Sequence, residues 1–166
     1  MISFRNDILP LKDKLFRLAL RITLNPAEAE DVVQETMIKV WSRRDSWDSI
    51  DNIETFCLTI CRNLAIDKTR HLANWTVSLD TEMEPSDNSQ HANPEEQAVQ
   101  QDRIKMVRQL INQLPEKQRS CMQLRDIEGK SYKDIATILA ITEEQVKVNI
   151  FRARQTIREQ FKKVDT

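Results

Sequence analysis

The helix predicted to begin at Thr142 carries side chains that could contact nucleic acid. Its apolar residues recur at spacings of four, three and four, which leaves basic and amide groups on the other faces. Arginine and lysine bind phosphate oxygens, and glutamine, asparagine and arginine can pair with the edges of adenine and guanine. The candidate side chains are Gln145, Lys147, Asn149, Arg152, Arg154 and Arg158. A solvated amphipathic helix shares this pattern, so the surrounding elements must decide between the two interpretations.

A second set of polar side chains lies far upstream, on a helix predicted over residues 53–71. Asn63, Asp67 and Arg70 fall on one face of this helix because they are four and three residues apart. Basic and aromatic groups beside such a face suit the unpaired bases of a single strand. Those neighbouring residues are Arg62, Lys68, Arg43, Arg44, Trp41 and Trp47. An ordinary solvated face, with Trp41 in the core, explains the same residues.

The helix between residues 26 and 41 has a polar face of less specific chemistry. Asn25 and Pro26 predict its start, as an N-cap followed by proline at the first helical position. Its apolar stripe consists of Val33, Met37, Val40 and Trp41, opposite the polar residues Asp31, Gln34, Glu35 and Lys39. This polar face is predicted to be exposed, and a contact with another protein is the alternative.

Two capping sequences predict how the last helix is positioned. Ser131 begins the pattern S-Y-K-D and Thr142 begins T-E-E-Q, and each is typical of a helix N-terminus. Ala140 and Ile141 between them leave room only for a tight turn. This spacing predicts a helix-turn-helix, which places its second helix in the major groove of DNA. Its predicted buried residues are Ile135, Ile138, Leu139, Val146, Ile150, Ala153 and Ile157.

Apolar residues at helical spacing predict the remaining elements, and we expect an all-α fold. The chain has one glycine and five prolines, too few for many turns. The N-terminal stripes are Ile8, Leu11, Leu15, Leu18 and Ile22, and then Phe56, Ile60 and Leu64. A helix starting at Pro94 carries Ile104, Val107, Leu110 or Ile111, and Leu114. A further helix, predicted at 116–127, ends near Gly129.

Charge is distributed unevenly along the chain. Residues 73–102 contain seven acidic side chains and no lysine or arginine, whereas residues 103–166 contain 14 basic and eight acidic ones. Residues 76–93 are polar and acidic and contain a proline, so they bury too little apolar area to fold alone. We therefore predict two small helical domains, at 1–75 and 94–166, joined by an acidic flexible linker at 76–93.

No pattern in the sequence supports catalysis, a cofactor or a metal site. Paired carboxylates occur without a histidine or a metal-ligand spacing beside them, and one glycine is too few for a phosphate-binding loop. Cys57, Cys61 and Cys121 are expected to be buried and reduced. No apolar run is long enough to cross a bilayer, and the N-terminus is not typical of a signal peptide. We expect a cytoplasmic protein that is not an enzyme.

Three segments occur in a characteristic order over nearly the whole chain. They are AEDVVQETMIKVW (29–41), ETFCLTICRNLAIDKTR (54–70) and LPEKQRSCMQLRDIEGKSYKDIATILAITEEQVKVNIFRARQTIRE (114–159). Together they resemble the extracytoplasmic-function sigma factors, the small two-domain members of the sigma-70 family. Each motif is degenerate by itself, but all three with a linker between them are specific. The resemblance implies a protein that binds bacterial core RNA polymerase, directs it to promoters and helps to open the duplex.

The resemblance also assigns roles to individual residues. The polymerase-binding segment matches Asp31, Gln34 and Glu35. The helix that reads and melts the −10 element matches Arg62, Asn63, Asp67 and Arg70, and the loop that captures a flipped base matches residues 42–52. The exposed positions of the −35 reader match Glu144, Gln145, Lys147, Asn149, Arg152 and Arg154. The acidic linker resembles the segment that threads through polymerase. An anti-sigma factor, and association with the nucleoid in the holoenzyme, are further expectations.

The chain departs from the family pattern at three places, and two alternative functions remain open. Ala140 stands where the family often has glycine, and Val148 where a small polar residue is usual. The recognition helix begins at residues 142–145 with T-E-E-Q, where a Pro-Glu-Gly-Thr-like start is common. One alternative is a helix-turn-helix regulator that binds duplex DNA as a dimer without polymerase, although no segment resembles a dimerisation helix. The other is a sigma-mimicking protein that sequesters an anti-sigma factor. Such a mimic should lose its DNA-facing basic residues, which this chain keeps.

Overall fold

The chain is helical through the residues that its structure describes. The computed structural model describes the backbone of residues 1–75 and 94–164 and the side chains of 1–71 and 100–164. Those residues form seven α-helices and no β-strand, which confirms the predicted all-α class. The linker predicted at 76–93 lies outside the described residues. The helices are α1 (Lys12–Thr23), α2 (Pro26–Ser42), α3 (Ile53–Trp75), α4 (Pro94–Asn112), α5 (Glu116–Met122), α6 (Tyr132–Leu139) and α7 (Glu143–Val164).

Helices α1, α2 and α3 pack pairwise into an N-terminal three-helix bundle. Leu15 and Leu18 of α1 are fully buried, as their spacing predicts. Ile8 is also buried and Leu11 is half-buried, but both lie ahead of α1. The chain around Pro10 instead makes a π-helical turn and a 3₁₀ turn, since proline has no N–H to continue a regular helix through that point.

The start of α2 follows the predicted capping pattern. The Asn25 side-chain oxygen accepts a hydrogen bond from the Glu28 N–H at 3.2 Å, and Pro26 is the first helical residue. Val33 and Val40 are buried as predicted. Residues 42–52, predicted to be a loop, instead contain the last residue of α2 and a 3₁₀ helix, so that prediction was wrong in part.

The buried side of α3 differs from the predicted stripe. Of the three residues assigned to it, Ile60 is buried, whereas Phe56 and Leu64 are only half-buried. The residues with almost no exposure are Cys57, Leu58, Cys61 and Ala65. Helix α3 packs against α1, α2 and also α6, so it buries a wider face than a single stripe provides. Small residues on that face allow the neighbouring helices to approach closely.

The C-terminal region contains α4 to α7. Helix α5 continues into a π-helical turn (Gln123–Ile127), and Gly129 then adopts a φ of +69°, a conformation that glycine reaches without strain. Leu114 is buried as predicted. Ile104, which was assigned to the buried stripe of α4, is 56% exposed. Helix α4 packs against α7, and this packing leaves Ile104 at the surface.

The two helical regions share one apolar core in this structure. Helix α3 packs on α6, and α1 packs on α5. Buried residues of both regions, such as Leu18 and Ile135, belong to the same contiguous cluster. This packing places part of the surface of α3 against the C-terminal region, and it therefore determines which polar residues of α3 reach solvent.

Candidate nucleic-acid interface

The helix-turn-helix is built as its capping sequences predict. Thr142 Oγ1 accepts a hydrogen bond from the Gln145 N–H at 3.1 Å, and Gln145 Oε1 accepts one from the Thr142 N–H at 3.0 Å. Ser131 Oγ accepts the Asp134 N–H at 3.1 Å at the start of α6. Ala140 makes the turn with a φ of +56°. These bonds fix where α7 begins relative to α6.

The residues of α7 that are predicted to read the −35 element differ in exposure and in whether their side chains already form hydrogen bonds within the protein. Glu144, Lys147 and Arg152 are exposed and can reach a ligand. Gln145 is exposed as well, but its side chain already closes the capping box. Asn149 is half-buried, and its side-chain N–H donates to the Gln145 carbonyl at 2.7 Å. The two amide side chains therefore stabilise the start of the helix, and their predicted contact with bases would require these bonds to be exchanged.

Arg154 is bound to a carboxylate of its own region. Its guanidinium donates two hydrogen bonds to Asp126, the one from Nε at 3.3 Å. The bond to Asp126 raises the pKa of Arg154. This pair ties α7 to the π-helical turn that follows α5, so Arg154 has a structural contact in addition to its predicted contact with DNA.

Tyr132 brings two cations together beside the helix-turn-helix, and the sequence pattern did not identify this group. Arg125 Cζ lies 4.5 Å and Lys147 Nζ 5.6 Å from the centroid of the Tyr132 ring. Arg125 also donates to the Lys130 carbonyl at 2.8 Å. The three side chains come from different elements, so their spacing along the chain gave no signal. The ring holds Lys147 near the turn between α6 and α7.

Two large apolar side chains on α7 were also absent from the predicted contact residues. Val148 is 45% exposed and Phe151 is 67% exposed. A rotation of about 100° per residue places both on the side of the helix away from Val146 and Ile150, which are buried. That angle was available from the sequence, but only polar and charged side chains were predicted as contact residues, so Val148 and Phe151 were not included.

The predicted −10 reading residues on α3 are divided by the packing of the two regions. Asn63, Asp67 and Arg70 are exposed. The side chain of Arg62 is only 13% exposed, and its Nη2 lies 3.2 Å from Glu116 Oε2 of α5. Within the described residues, Arg62 Nε is buried without a hydrogen-bond partner. The structure therefore covers one predicted DNA contact and leaves three at the surface.

Trp41 was assigned to the core, and that prediction was wrong, because the residue is 49% exposed. Trp47 is the buried tryptophan, and its indole N–H donates to the Val40 carbonyl at 3.0 Å. Trp41 instead packs edge-on against Phe4 and Trp47, with centroids 5.5 and 6.1 Å away. Arg44 Cζ lies 4.8 Å from its ring centroid. A cation over an exposed indole now lies at the start of the predicted base-capturing segment.

The predicted polymerase-binding face of α2 is linked electrostatically to α3. Lys68 Nζ lies 3.5 Å from Glu28, 3.4 Å from Asp31 and 3.7 Å from Glu35. Burial by itself would lower the pKa of Lys68, but the bond to Asp31 and the three carboxylate charges outweigh it and raise that pKa. Gln34, the third predicted residue, is exposed on the same helix. Lys68 thus orients the carboxylates of this face from α3, the helix predicted to read the −10 element.

Further polar contacts join the two regions. Glu54 of α3 accepts from Lys14 at 2.7 Å and also binds Lys130 of the C-terminal region. The guanidinium of Arg17 in α1 donates a bidentate pair of hydrogen bonds to the Glu128 carboxylate, from Nε at 2.6 Å and from Nη2 at 3.0 Å. Other contacts of this kind join Arg21 to Asn112 and Gln123, and Arg119 to the Ile22 carbonyl.

The three cysteines are buried, as expected. Cys57, Cys61 and Cys121 have no exposed surface and form no disulfide. Burial raises the pKa of each thiol to about 12. Among the described residues there is no group of histidine, cysteine and carboxylate side chains that could hold a metal ion. None of the helices in the described part of the chain has the length and apolar character that crossing a membrane requires.

Two family models match the chain in the order in which its helical regions occur. Sigma-70 region 2 matches residues 8–75, which include α1 to α3. Sigma-70, region 4 matches residues 104–157, which include the helix-turn-helix.

Individual relatives match over most of their length. The chain is 31% identical to SigW, an ECF RNA polymerase sigma factor of Bacillus subtilis, over 91% of this chain and 84% of that protein. It is 33% identical to the RNA polymerase sigma-H factor of Pseudomonas aeruginosa, over 91% of this chain and 83% of that protein. For SigL of Mycobacterium tuberculosis the identity is 32%, over 87% of this chain and 80% of that protein.

Solved structures share the fold at lower identity. The sigma factor RpoE of Bartonella quintana, crystallised with the anti-sigma factor NepR, superposes with a TM-score of 0.75 at 23% identity, over 96% of both chains. CnrH, in complex with the cytosolic domain of CnrY, gives a TM-score of 0.68 at 19% identity, over 96% of this chain and 87% of that one.

Proposed function

The chain belongs to the extracytoplasmic-function sigma factors of the sigma-70 family, and from that membership we propose how its two helical regions divide promoter recognition. It is an RNA polymerase sigma factor, a transcription initiation factor rather than an enzyme. Its partners are core RNA polymerase and promoter DNA. The proposal concerns which residues meet each partner.

Residues 94–166 form the proposed −35 domain. The observation that supports this role is the helix-turn-helix. Its second helix, α7, presents Lys147 and Arg152 to solvent while its apolar side is buried. Cations on such a helix bind the phosphates that border the major groove. Glu144 and the amide and arginine side chains at 145, 149 and 154 complete the proposed contact surface.

Residues 1–75 form the proposed domain for polymerase binding and the −10 element. Asn63, Asp67 and Arg70 are exposed on α3 and can meet unpaired bases, with Trp41 and Arg44 at the start of residues 42–52 as neighbours. Base capture shifts the duplex toward its open form and needs no hydrolysis by this chain. Arg62 can join the surface only after it leaves Glu116, so this contact between the two regions must break on promoter binding.

Asp31, Gln34 and Glu35 form the proposed contact with the polymerase. They share one face of α2, and their carboxylates are exposed, 57% for Asp31 and 53% for Glu35. An acidic face with an adjacent amide suits a basic partner surface. Binding to polymerase then tethers both DNA-reading regions, and two weak sites act together by effective concentration. Residues 76–93 form the proposed tether, and their acidic charge suits a basic channel.

We further propose an anti-sigma factor as a regulatory partner and the cytoplasm, with the nucleoid, as the place of action. The anti-sigma proposal is supported by the similarity to RpoE of Bartonella quintana, which was crystallised with NepR. It predicts that the purified chain supports transcription without a stimulus, whereas cells restrain it.

The test is run-off transcription with purified bacterial core RNA polymerase on pooled promoter fragments, with and without this protein. New start sites that share two spaced elements are the expected result. Binding to core without new transcripts would indicate a sigma mimic. No binding to core, together with dimeric binding to a palindromic duplex, would contradict the proposal and favour an ordinary helix-turn-helix regulator.

A further inference from the structure

The outermost stripe of α7 lies opposite its buried side and has an apolar centre. At 3.6 residues per turn, positions four, three and four residues apart share a face. That stripe consists of Glu144, Val148, Phe151 and Gln155, all of them exposed. Val148 and Phe151 occupy the middle of it, with 45% and 67% of their surfaces in solvent. The core gains little from either side chain, so their exposure requires another explanation.

Two cations border this stripe. A rotation of about 100° per residue puts Lys147 and Arg152 on opposite sides of the stripe, each roughly 70° from its centre. Both are exposed. The major groove of DNA has the complementary arrangement, with phosphates along both walls and base edges on the floor. A helix that binds phosphates through its two flanks presents Val148 and Phe151 to the base edges.

The base edges of the major groove offer one apolar group that such side chains can recognise. Guanine, adenine and cytosine display hydrogen-bond donors and acceptors there, whereas thymine adds a methyl group at carbon 5. Valine and phenylalanine make no hydrogen bonds through their side chains, so they gain nothing from the polar edges. Burying a methyl group against them removes apolar surface from water.

We propose that Val148 and Phe151 determine promoter specificity by contacting thymine 5-methyl groups in the −35 element. This inference rests on the proposed role of α7 as the −35 reader, and it adds the base and the atom that are read. Val148 stands where the family usually has a small polar residue, so the preference for thymine at its contact is specific to this chain.

The direct test removes the methyl group from the DNA. In a promoter obtained from the run-off experiment, each thymine of the −35 element is replaced in turn by uracil, which pairs identically but lacks the 5-methyl group. The holoenzyme should form open complexes roughly fourfold more weakly for each methyl that is contacted, the effect expected for one buried methyl group. Substitution at uncontacted thymines should change nothing.

Protein variants then identify the side chain that makes each contact. In the Val148→Ser holoenzyme, uracil should no longer weaken binding at one position, and Phe151→Ala should remove the penalty at a different one. Val148→Ile keeps an apolar, β-branched side chain and should keep the penalty. Val164→Ser is the matched control, since Val164 is 55% exposed at the far end of the same helix. It should leave every uracil penalty unchanged.

Three outcomes would overturn the inference. If the holoenzyme initiates at the promoter but tolerates uracil at every −35 position, the sigma function stands and the methyl contact does not. If Val148→Ser and Phe151→Ala instead weaken binding to core polymerase without DNA, the stripe is a protein contact. If core polymerase and this chain give no promoter-specific transcripts at all, the proposed function fails together with the inference.

Discussion

At the residue scale, Arg152 and Arg154 of α7 differ in whether they form an ion pair within the protein. Arg152 is exposed, and among the described residues no ion pair holds it. Arg154 donates two hydrogen bonds to Asp126. Because both have the same side chain and lie two positions apart, their variants separate the loss of a DNA contact from the loss of the ion pair with Asp126.

We expect Arg152→Ala to weaken promoter binding by the holoenzyme and to reduce the slope of its salt dependence by about one, because one phosphate contact is lost. Arg154→Ala should in addition lower the free energy of unfolding by about 0.2–1 kcal/mol, the usual contribution of an exposed ion pair, and Arg152→Ala should leave it unchanged. Binding to promoter DNA across a salt series and thermal unfolding measure the two effects. Equal salt slopes for Arg152→Ala and wild type would contradict the assignment.

The cysteines provide a second prediction at this scale. Burial raises the pKa of Cys57, Cys61 and Cys121 from 9.0 to about 12, so the thiolate fraction at pH 8 falls by about a thousandfold. The native protein should resist a thiol-labelling reagent at pH 8, and the protein in urea should react at all three positions. Rapid labelling of the native chain would show that the core opens readily.

At the element scale, two helix ends use a left-handed residue that is not glycine. Leu24 follows α1 with a φ of +57°, and Ala140 follows α6 with a φ of +56°. A side chain with a Cβ is strained in this region, whereas glycine is not. Since Ala140 forms the turn of the helix-turn-helix, its strain bears on the stability of the DNA-reading unit.

We expect Ala140→Gly to raise the free energy of unfolding by about 1 kcal/mol, because relief of the left-handed strain outweighs the added freedom of the unfolded chain. Ala136→Gly is the matched control. Ala136 lies inside α6, where the same substitution should lower that free energy by about 1 kcal/mol. Urea unfolding of both variants gives the comparison, and two shifts of the same sign would contradict the argument.

At the scale of the whole molecule, polar contacts between the two regions oppose the proposed function until they are exchanged. Arg62, a predicted −10 contact, is bound to Glu116 of the other region. Glu54 lies between Lys14 and Lys130 and joins the two regions by charge. These contacts hold the regions together, and promoter binding must exchange them.

We expect Glu116→Gln to increase the affinity of the isolated protein for a single-stranded −10 oligonucleotide, since it releases the guanidinium of Arg62. Fluorescence anisotropy of the labelled oligonucleotide measures this effect. The double variant Glu116→Gln with Arg62→Ala is the control and should lose the gain. No difference between Glu116→Gln and wild type would show that the pair does not limit access.

Acid should loosen the contact between the regions. Burial alone would raise the pKa of Glu54, but its bonds to Lys130 and Lys14 lower it below the ordinary 4.5. Because its pKa is lowered, the ionised Glu54 carboxylate stabilises the packing of the two regions above about pH 4.5. That stabilisation is lost as the pH falls through the lowered pKa. Energy transfer between dyes on α2 and α7 should fall in this range, and Glu54→Gln should flatten the change. An identical pH profile for both proteins would exclude Glu54 as the cause.

Local patterns in the sequence determined the helices and much of the candidate site. The capping residues Thr142 and Asn25, the tight turn at Ala140 and most of the buried stripe of α7 depend on neighbours within a few positions, so spacing and residue type were enough. Within that stripe only Ile157 is half-buried rather than buried. The same patterns indicated the polar faces of α2 and α3. Roles for individual residues came from the family resemblance, and those roles remain predictions.

Only the tertiary structure decided which of these residues are exposed and can contact DNA or another protein. Arg62 and Glu116 are far apart in sequence, and so are Lys68 and Asp31, because each pair depends on how whole helices pack. Trp41 was placed in the core from its spacing, but the buried tryptophan is Trp47, whose indole N–H donates to the Val40 carbonyl. Spacing along one helix gives a face, whereas burial depends on what another helix places against it, and that information is not local.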